Sequence, residues 1–188
     1  MRIADTAIPG IKILTPQRHE DERGYFAEVW RQDRFAEAGI PGPFVQDNHA
    51  LSRRAGTVRG LHYQLPPRAQ GKLVRVVRGR VYDVAVDVRR GSPDFGRHVA
   101  ATLDAAEGNQ LWIPPGFAHG YCTLEDDCEL LYKVTDFYSP DDEAGILWND
   151  AALAIDWPVG AAWAEISGRD RALPPLAEQT RLFEPGPT

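Results

Sequence analysis

The chain has 188 residues, 43% of them hydrophobic and 26% charged, and its 21 Lys and Arg against 27 Asp and Glu leave a formal net charge of −6. That balance argues against a general nucleic-acid binder, and no apolar run approaches the roughly 20 residues of a membrane-spanning helix. The length fits one domain, 1–188, and the first ten residues lack a signal pattern, so a cytoplasmic protein is expected.

Taken in chain order, the periodicity is mostly that of strands. Segments 8–14, 25–30, 44–51, 58–64 and 72–77 read as strands. Arg78-Gly79 is a turn, and 81–88 follows with near-perfect alternation of Val84, Val86 and Val88 against Asp83, Ala85 and Asp87. Further strands are expected at 98–103, 110–113, 119–124, 129–138 and 145–148. Residues 32–38 read as a short helix ended by Gly39. Near the C-terminus, 161–166 and 176–183 look helical, with Pro174-Pro175 between them. Short strands at this spacing, punctuated by Gly, Pro and Asp, indicate an all-β sandwich or barrel with a core at about 2–160 and a short helical segment at about 161–184.

Charge is spread unevenly. Residues 48–82 hold no acid and eight cations: Arg53, Arg54, Arg59, Arg68, Lys72, Arg75, Arg78 and Arg80. Most are expected to be outward strand residues paired with acids, with one or two serving a small anionic ligand such as a diphosphate. Lysine is rare, only Lys12, Lys72 and Lys133 beside 18 arginines, so Lys72 after Gly71 is a candidate for chemistry that arginine performs less well. Cys122 and Cys128 form neither a disulfide framework nor a CxxC knuckle and read as inert strand-end thiols.

The run from Gly108 through Pro114 and Gly116 to His119 matches the second motif of the cupin superfamily, G-x5-P-x-G-x2-H, in which a tight turn leads a histidine into the barrel. The first motif normally supplies metal ligands as HxH. Here the matching stretch gives His62 and then Gln64, with no glutamate at the expected distance. Two histidines fall short of the three protein ligands of a catalytic zinc or iron site, so no metal is expected. An inward histidine is then free for acid–base work, or is a core histidine bonded to a backbone carbonyl; spacing alone does not separate the two.

Ordered motifs accumulate along the chain: Asp21-Glu-Arg23-Gly24-Tyr-Phe26, Gln46-Asp-Asn48-His-Ala-Leu-Ser52, Arg59-Gly-Leu-His62-Tyr-Gln64, Gly71-Lys72, Val86-Asp87-Val-Arg89, Gly91-Ser-Pro-Asp-Phe-Gly96, Pro115-Gly-Phe-Ala-His119-Gly, Tyr132-Lys133, Tyr138-Ser-Pro and Ser167-Gly-Arg-Asp170. Together, from about Arg2 to Leu176, they resemble the dTDP-4-dehydrorhamnose 3,5-epimerase family of cofactor-free cupin enzymes. The resemblance implies a double-stranded β-helix (jelly-roll barrel), a homodimer, no cofactor, and a dTDP-4-keto-6-deoxyhexose substrate epimerised at C3 and C5 through an enolate. It implies His62 as general base, Asp170 as the carboxylate orienting it, Tyr132 as general acid and Lys72 as the cation for the enolate oxygen, with His119 nearby. It further implies substrate contacts from Arg23, Glu28, Gln46, Asn48, Arg59, Tyr138, Glu143 and Arg169.

Read from the residues alone, Asp170 is also a helix-cap neighbour in Ser167-x-x-Asp170, Tyr132 a core strand tyrosine and Lys72 an exposed strand-start lysine. Arg169 stands where the family often has Lys, Tyr121 where Phe follows His-Gly, and His98 where Trp is common. Alternatives are an epimerase that inverts a single carbon, a metal-dependent cupin oxygenase, and a non-catalytic sugar-nucleotide binding barrel.

Overall fold

Short alternating segments, each too short to stand alone, pair into fourteen strands among the residues described by a computed structural model, 1–184. They are β1 (Arg2–Asp5), β2 (Lys12–Thr15), β3 (Arg18–Asp21), β4 (Gly24–Ala27), β5 (Gln46–Ser52), β6 (Thr57–Gln64), β7 (Lys72–Arg78), β8 (Arg80–Asp87), β9 (His98–Asp104), β10 (Gln110–Ile113), β11 (Phe117–Thr123), β12 (Cys128–Val134), β13 (Glu143–Gly145) and β14 (Glu165–Ile166). Two short helices, α1 (Gln32–Glu37) and α2 (Gly168–Arg171), complete the frame. No helix among the described residues is long and apolar enough to cross a membrane.

One sheet runs β1-β2-β10-β7-β12-β5 and the other β13-β6-β11-β8-β9, with β14 beside β6 and β3–β4 forming a separate ribbon. From β5 onward the chain crosses repeatedly between the two sheets, and both are antiparallel apart from β14. This is an all-β barrel, as the strand spacing indicates, in the jelly-roll form that the resemblance implies.

Three apolar layers hold it. Val74, Leu111 and Leu130 of the first sheet meet Val81, Ala85, Leu103 and Phe117 of the second inside the barrel. Phe35 of α1 and Ile40 cover the outer face of the first sheet over Leu14, Leu73 and Trp112. Leu153, Leu176 and Leu182 of the C-terminal segment cover Leu61, Val84, Val86 and Val88 on the outer face of the second. Strand β8 is therefore buried on both faces.

The structure corrects several sequence expectations. Residues 161–166 do not form a helix. Helical propensity in Ala161-Ala-Trp-Ala164 yields to the free edge of β6, where Glu165 donates to the Gly56 carbonyl (3.0 Å) and β14 pairs in parallel. The helix starts later, after Ser167, whose hydroxyl accepts the Asp170 amide (3.0 Å). The expected helix at 176–183 is a single 3-10 turn at Leu176–Glu178, after which Phe183 bridges to Arg89. In the expected strand 8–14, Pro9-Gly10 makes a turn, with Gly10 at φ +94°, and Ile8 and Ile11 become core plugs. The strand expected at 25–30 is shorter, Gly24–Ala27, and forms half of a hairpin whose first arm, β3, lacks the apolar alternation that marks a strand.

Candidate active site

Five strands, three from the first sheet and two from the second, build the site. On β5 every second residue, Gln46, Asn48, Ala50 and Ser52, is drawn inward while the residues between are exposed. On β7 and β12 the same alternation turns Lys72 and Tyr132 into the barrel from the first sheet. From the second sheet β11 presents His119 and Tyr121, and β6 presents Arg59, His62 and Gln64.

Arg59 and His62 lie three apart, so simple alternation would place them on opposite faces. A register shift resolves this: Arg59 pairs with Tyr121 while His62 pairs with His119, three residues of β6 being matched by two of β11. Such a bulge flips the side-chain parity and brings both residues to the cavity. Gly60 sits in this bulge at φ +117°, and a Cβ there would stand 2.5 Å from the Gly120 Cα, so no larger residue fits.

The edge of β6 next to the bulge is covered by β14 at one end and β13 at the other. Asp170, carried in by α2, fills the interval. Its Oδ2 accepts the Gly60 amide (3.1 Å) and its Oδ1 pairs with His62 Nε2 (2.7 Å). Asp170 is at once a helix-cap neighbour and a partner of His62: its backbone is capped by Ser167 and its side chain holds the His62 ring. Burial pushes the Asp170 carboxyl up, but the His62 bond and charge and the Gly60 amide outweigh this and leave it below the usual range.

The resulting cavity has a main lobe of about 680 Å³ and an adjoining lobe of about 220 Å³, and both are bounded by His62, Lys72 and Tyr132. Such volumes suit a small-molecule ligand. The main lobe carries Arg59, His119, Arg169 and Asp170; the second carries Gln46, Asn48, Tyr138 and Glu143. Lys72 is buried and not exposed, with Nζ donating to the His62 carbonyl (3.1 Å). Burial lowers its pKa to about 8, against the opposing charges of Asp83 and Glu143. Burial raises the Tyr132 phenol, Arg59 working against it and Glu143 with it, so Tyr132 holds its proton and is a donor.

Glu143 accepts the Tyr138 hydroxyl (2.7 Å) and pairs with Arg169 (2.5 Å). Burial pushes its carboxyl up, but these partners bring it below its usual value. Arg59 reaches across the mouth to Ser52 Oγ and the Leu51 carbonyl (both 3.2 Å). Of the acid-free segment's other cations, Arg68, Arg78 and Arg80 pair with surface acids.

Two expected contacts stand apart. Neither Arg23 nor Glu28 lines either lobe: Arg23 pairs with Asp21 at the hairpin tip (2.5 Å), and Glu28 pairs with Arg34 (3.2 Å) and Arg31.

Sequence reasoning missed three participants. Asp83 on β8 is fully buried and holds His119 Nε2 with both oxygens (2.9 and 3.0 Å); a carboxylate inside an alternating apolar strand was its only signal. Gln64, at the metal-ligand position of the cupin motif, spends its amide on the backbone of Arg68, Phe137 and Ser139, bracing the loop that carries Tyr138. The Tyr121 hydroxyl is buried and makes no well-formed hydrogen bond among the described residues, Ser52 being the side-chain group that acts on it.

Comparison with known proteins places the chain in a family. A family model described as dTDP-4-dehydrorhamnose 3,5-epimerase matches residues 5–178. A protein of that name from Salmonella typhimurium is 49% identical over 185 residues, covering 98% of this chain and all of its own. The crystal structure of an epimerase from Legionella pneumophila in complex with dTDP-4-keto-L-rhamnose superposes with a TM-score of 0.93 at 42% identity, covering 99% of both chains. A dTDP-4-dehydrorhamnose 3-epimerase from Streptomyces niveus is 40% identical, covering 95% of this chain and 85% of its own.

Proposed function

The chain belongs to the dTDP-4-dehydrorhamnose 3,5-epimerase family, and on that premise we propose how its residues invert C3 and C5 of dTDP-4-dehydro-6-deoxy-D-glucose. The observation that carries the reading is the placement of a carboxylate-held histidine and a protonated tyrosine on facing sheets, with a buried lysine lining the same cavity.

Protons at C3 and C5 are acidic because the C4 ketone takes up the resulting charge as an enolate. Asp170 accepts only, so the His62 proton sits on Nε2 and leaves Nδ1 to take the substrate proton. The adjacent carboxylate steadies the imidazolium that forms. Lys72 supplies the charge for the O4 anion. Tyr132, on the opposite wall, returns a proton to the other face of the carbon. A sugar ring slotted between the sheets thus meets base on one side and acid on the other, which is the requirement for inversion. Protons move and hydride does not, so the reaction calls on no redox cofactor. Arg59 and Arg169 serve the diphosphate, and Gln46, Asn48, Tyr138 and Glu143 the nucleoside.

Arg23 and Glu28 serve a homodimer, in our reading. Their ribbon β3–β4 exposes Tyr25 (59%) and Phe26 (72%), an apolar tip suited to a second copy of this chain, whose cavity would receive Arg23 and Glu28. Mixing inactive His62→Ala and Arg23→Ala proteins would then rebuild intact sites in mixed dimers and restore activity; no restoration overturns the exchange. A cytoplasmic, single-domain enzyme is the setting proposed.

The decisive experiment is incubation with the 4-keto substrate in D2O. Deuterium at both C3 and C5 is expected. Label at C3 alone would move the chain toward the activity named for its Streptomyces niveus relative, and binding without any exchange would make it a sugar-nucleotide binding barrel.

A further inference from the structure

Asp83 is the one buried carboxylate at the site to which the mechanism above gives no role. It lies on β8 between Val81 and Ala85, whose side chains belong to the barrel interior, and it has no exposed surface. An ionised carboxylate there carries a heavy desolvation penalty, and a well-packed apolar residue generally folds as well or better in such a place. Stability alone therefore gives a poor account of Asp83.

Its contacts give a better one. Both oxygens meet His119 Nε2, at 2.9 and 3.0 Å, and a carboxylate can only accept, so the ring carries its proton on Nε2 and is fixed in orientation. The groups facing Lys72 are His62 on β6, Asp83 on β8, His119 on β11, Tyr132 on β12 and Glu143 on β13. Two of these are anions. Glu143 is already matched by Arg169 and the Tyr138 hydroxyl. Among the described residues, Asp83 is matched only by an imidazole. Burial takes the Lys72 pKa down to about 8, and the Asp83 charge is the first of the two that resist this fall.

We propose that Asp83 is a positioning residue: it fixes the His119 ring and supplies the buried negative charge against which the Lys72 ammonium is held, so that Lys72 and His119 together shape the pocket for the substrate's anionic oxygen. This rests on the reading of the site as one that forms an enolate.

Asp83→Asn in the full-length enzyme separates charge from shape, because the amide oxygen still accepts the His119 Nε2 proton. The expected result is a fall in kcat of about tenfold or more at pH 7.5, with dTDP affinity by calorimetry unchanged within about twofold. The alkaline limb of kcat should move to lower pH by about one unit. A fall in kcat with the limb unmoved would mark a purely structural role and overturn the proposal, as would wild-type kinetics. Lys72 can also be followed without turnover: with only three lysines, selective 13Cε labelling resolves each, and the Lys72→Gln variant assigns the signal. In the wild type Lys72 is expected to be charged at pH 7, and a neutral Lys72 there overturns the proposal even if Asp83→Asn proves insoluble. Failure of the enolate reading has a different signature, namely absence of solvent exchange by the wild type whatever the lysine titration shows.

Discussion

Two histidine–carboxylate pairs face each other across the β6–β11 ladder, and they are built in opposite ways. His62 and His119 are register partners, and each gives its Nε2 to an aspartate at about the same distance, 2.7 Å and 2.9 Å. Asp170 comes from a short helix 108 residues further along the chain, docked on the edge of β6, and the His62 side chain stays 29% exposed. Asp83 comes from a strand covered on both faces, and His119 is almost fully buried. Both histidines line the cavity, but the first pair is partly open to it, whereas the second presents only the edge of His119 and keeps Asp83 wholly buried, where a fixed charge acts most strongly on its neighbours. Two arrangements with the same atoms thus differ in burial, which suits the first to the proton transfer proposed for it and the second to the electrostatic fixing proposed for it.

The comparison can be broken most severely at its accessible end. His62→Ala should lower kcat by about a thousandfold or more and abolish exchange at both carbons; full retained activity would remove His62 as the base. Asp170→Asn should cost about a hundredfold or more, since the amide holds the His62 ring without steadying its charge and also meets the Gly60 amide less well.

Tyr132→Phe, on the opposite wall, should lower inversion by about a hundredfold while deuterium still enters from the His62 side with retention. Loss of exchange and inversion in equal measure would instead give Tyr132 a role in proton removal.

The pH dependence tests the fixed pair. With Lys72 proposed to act as the ammonium and burial bringing its pKa to about 8, kcat should decline as pH rises through about 8. An alkaline limb near the ordinary lysine value would show that burial does not govern this group.

The smallest effect belongs to Tyr121→Phe. Removing a buried hydroxyl that makes no well-formed hydrogen bond among the described residues should leave stability unchanged or raise it by up to about 1 kcal/mol, measured by urea denaturation. A loss of more than that amount would reveal a bond made by the hydroxyl.

Much of the site was legible because it is local. The Pro-Pro-Gly turn delivers His119 into β11, alternation explains the inward face of β5, and the scarcity of lysine pointed to Lys72. Asp83 was not legible. Valines at 84, 86 and 88 make β8 read as a strand with one apolar and one polar face, whereas both faces are covered and the face bearing Asp83 looks into the barrel. The C-terminal helices misled for a related reason: alanine-rich composition reports intrinsic preference, while the open edge of β6 offers backbone partners that outweigh it.

By itself, the sequence determined most of the strands and turns and the cationic acid-free segment, since these depend on neighbours a few residues apart, while the candidate proton-transfer groups came from the ordered motifs of a family resemblance. The tertiary structure alone decided which groups work together. The β6 bulge turns Arg59 and His62 to one face, α2 sets Asp170 in the interval between β13 and β14, and burial from every side sets the charge state of Lys72. Each of these rests on backbone register or solvent exclusion imposed by segments distant in the chain, and no local pattern of residue types encodes that.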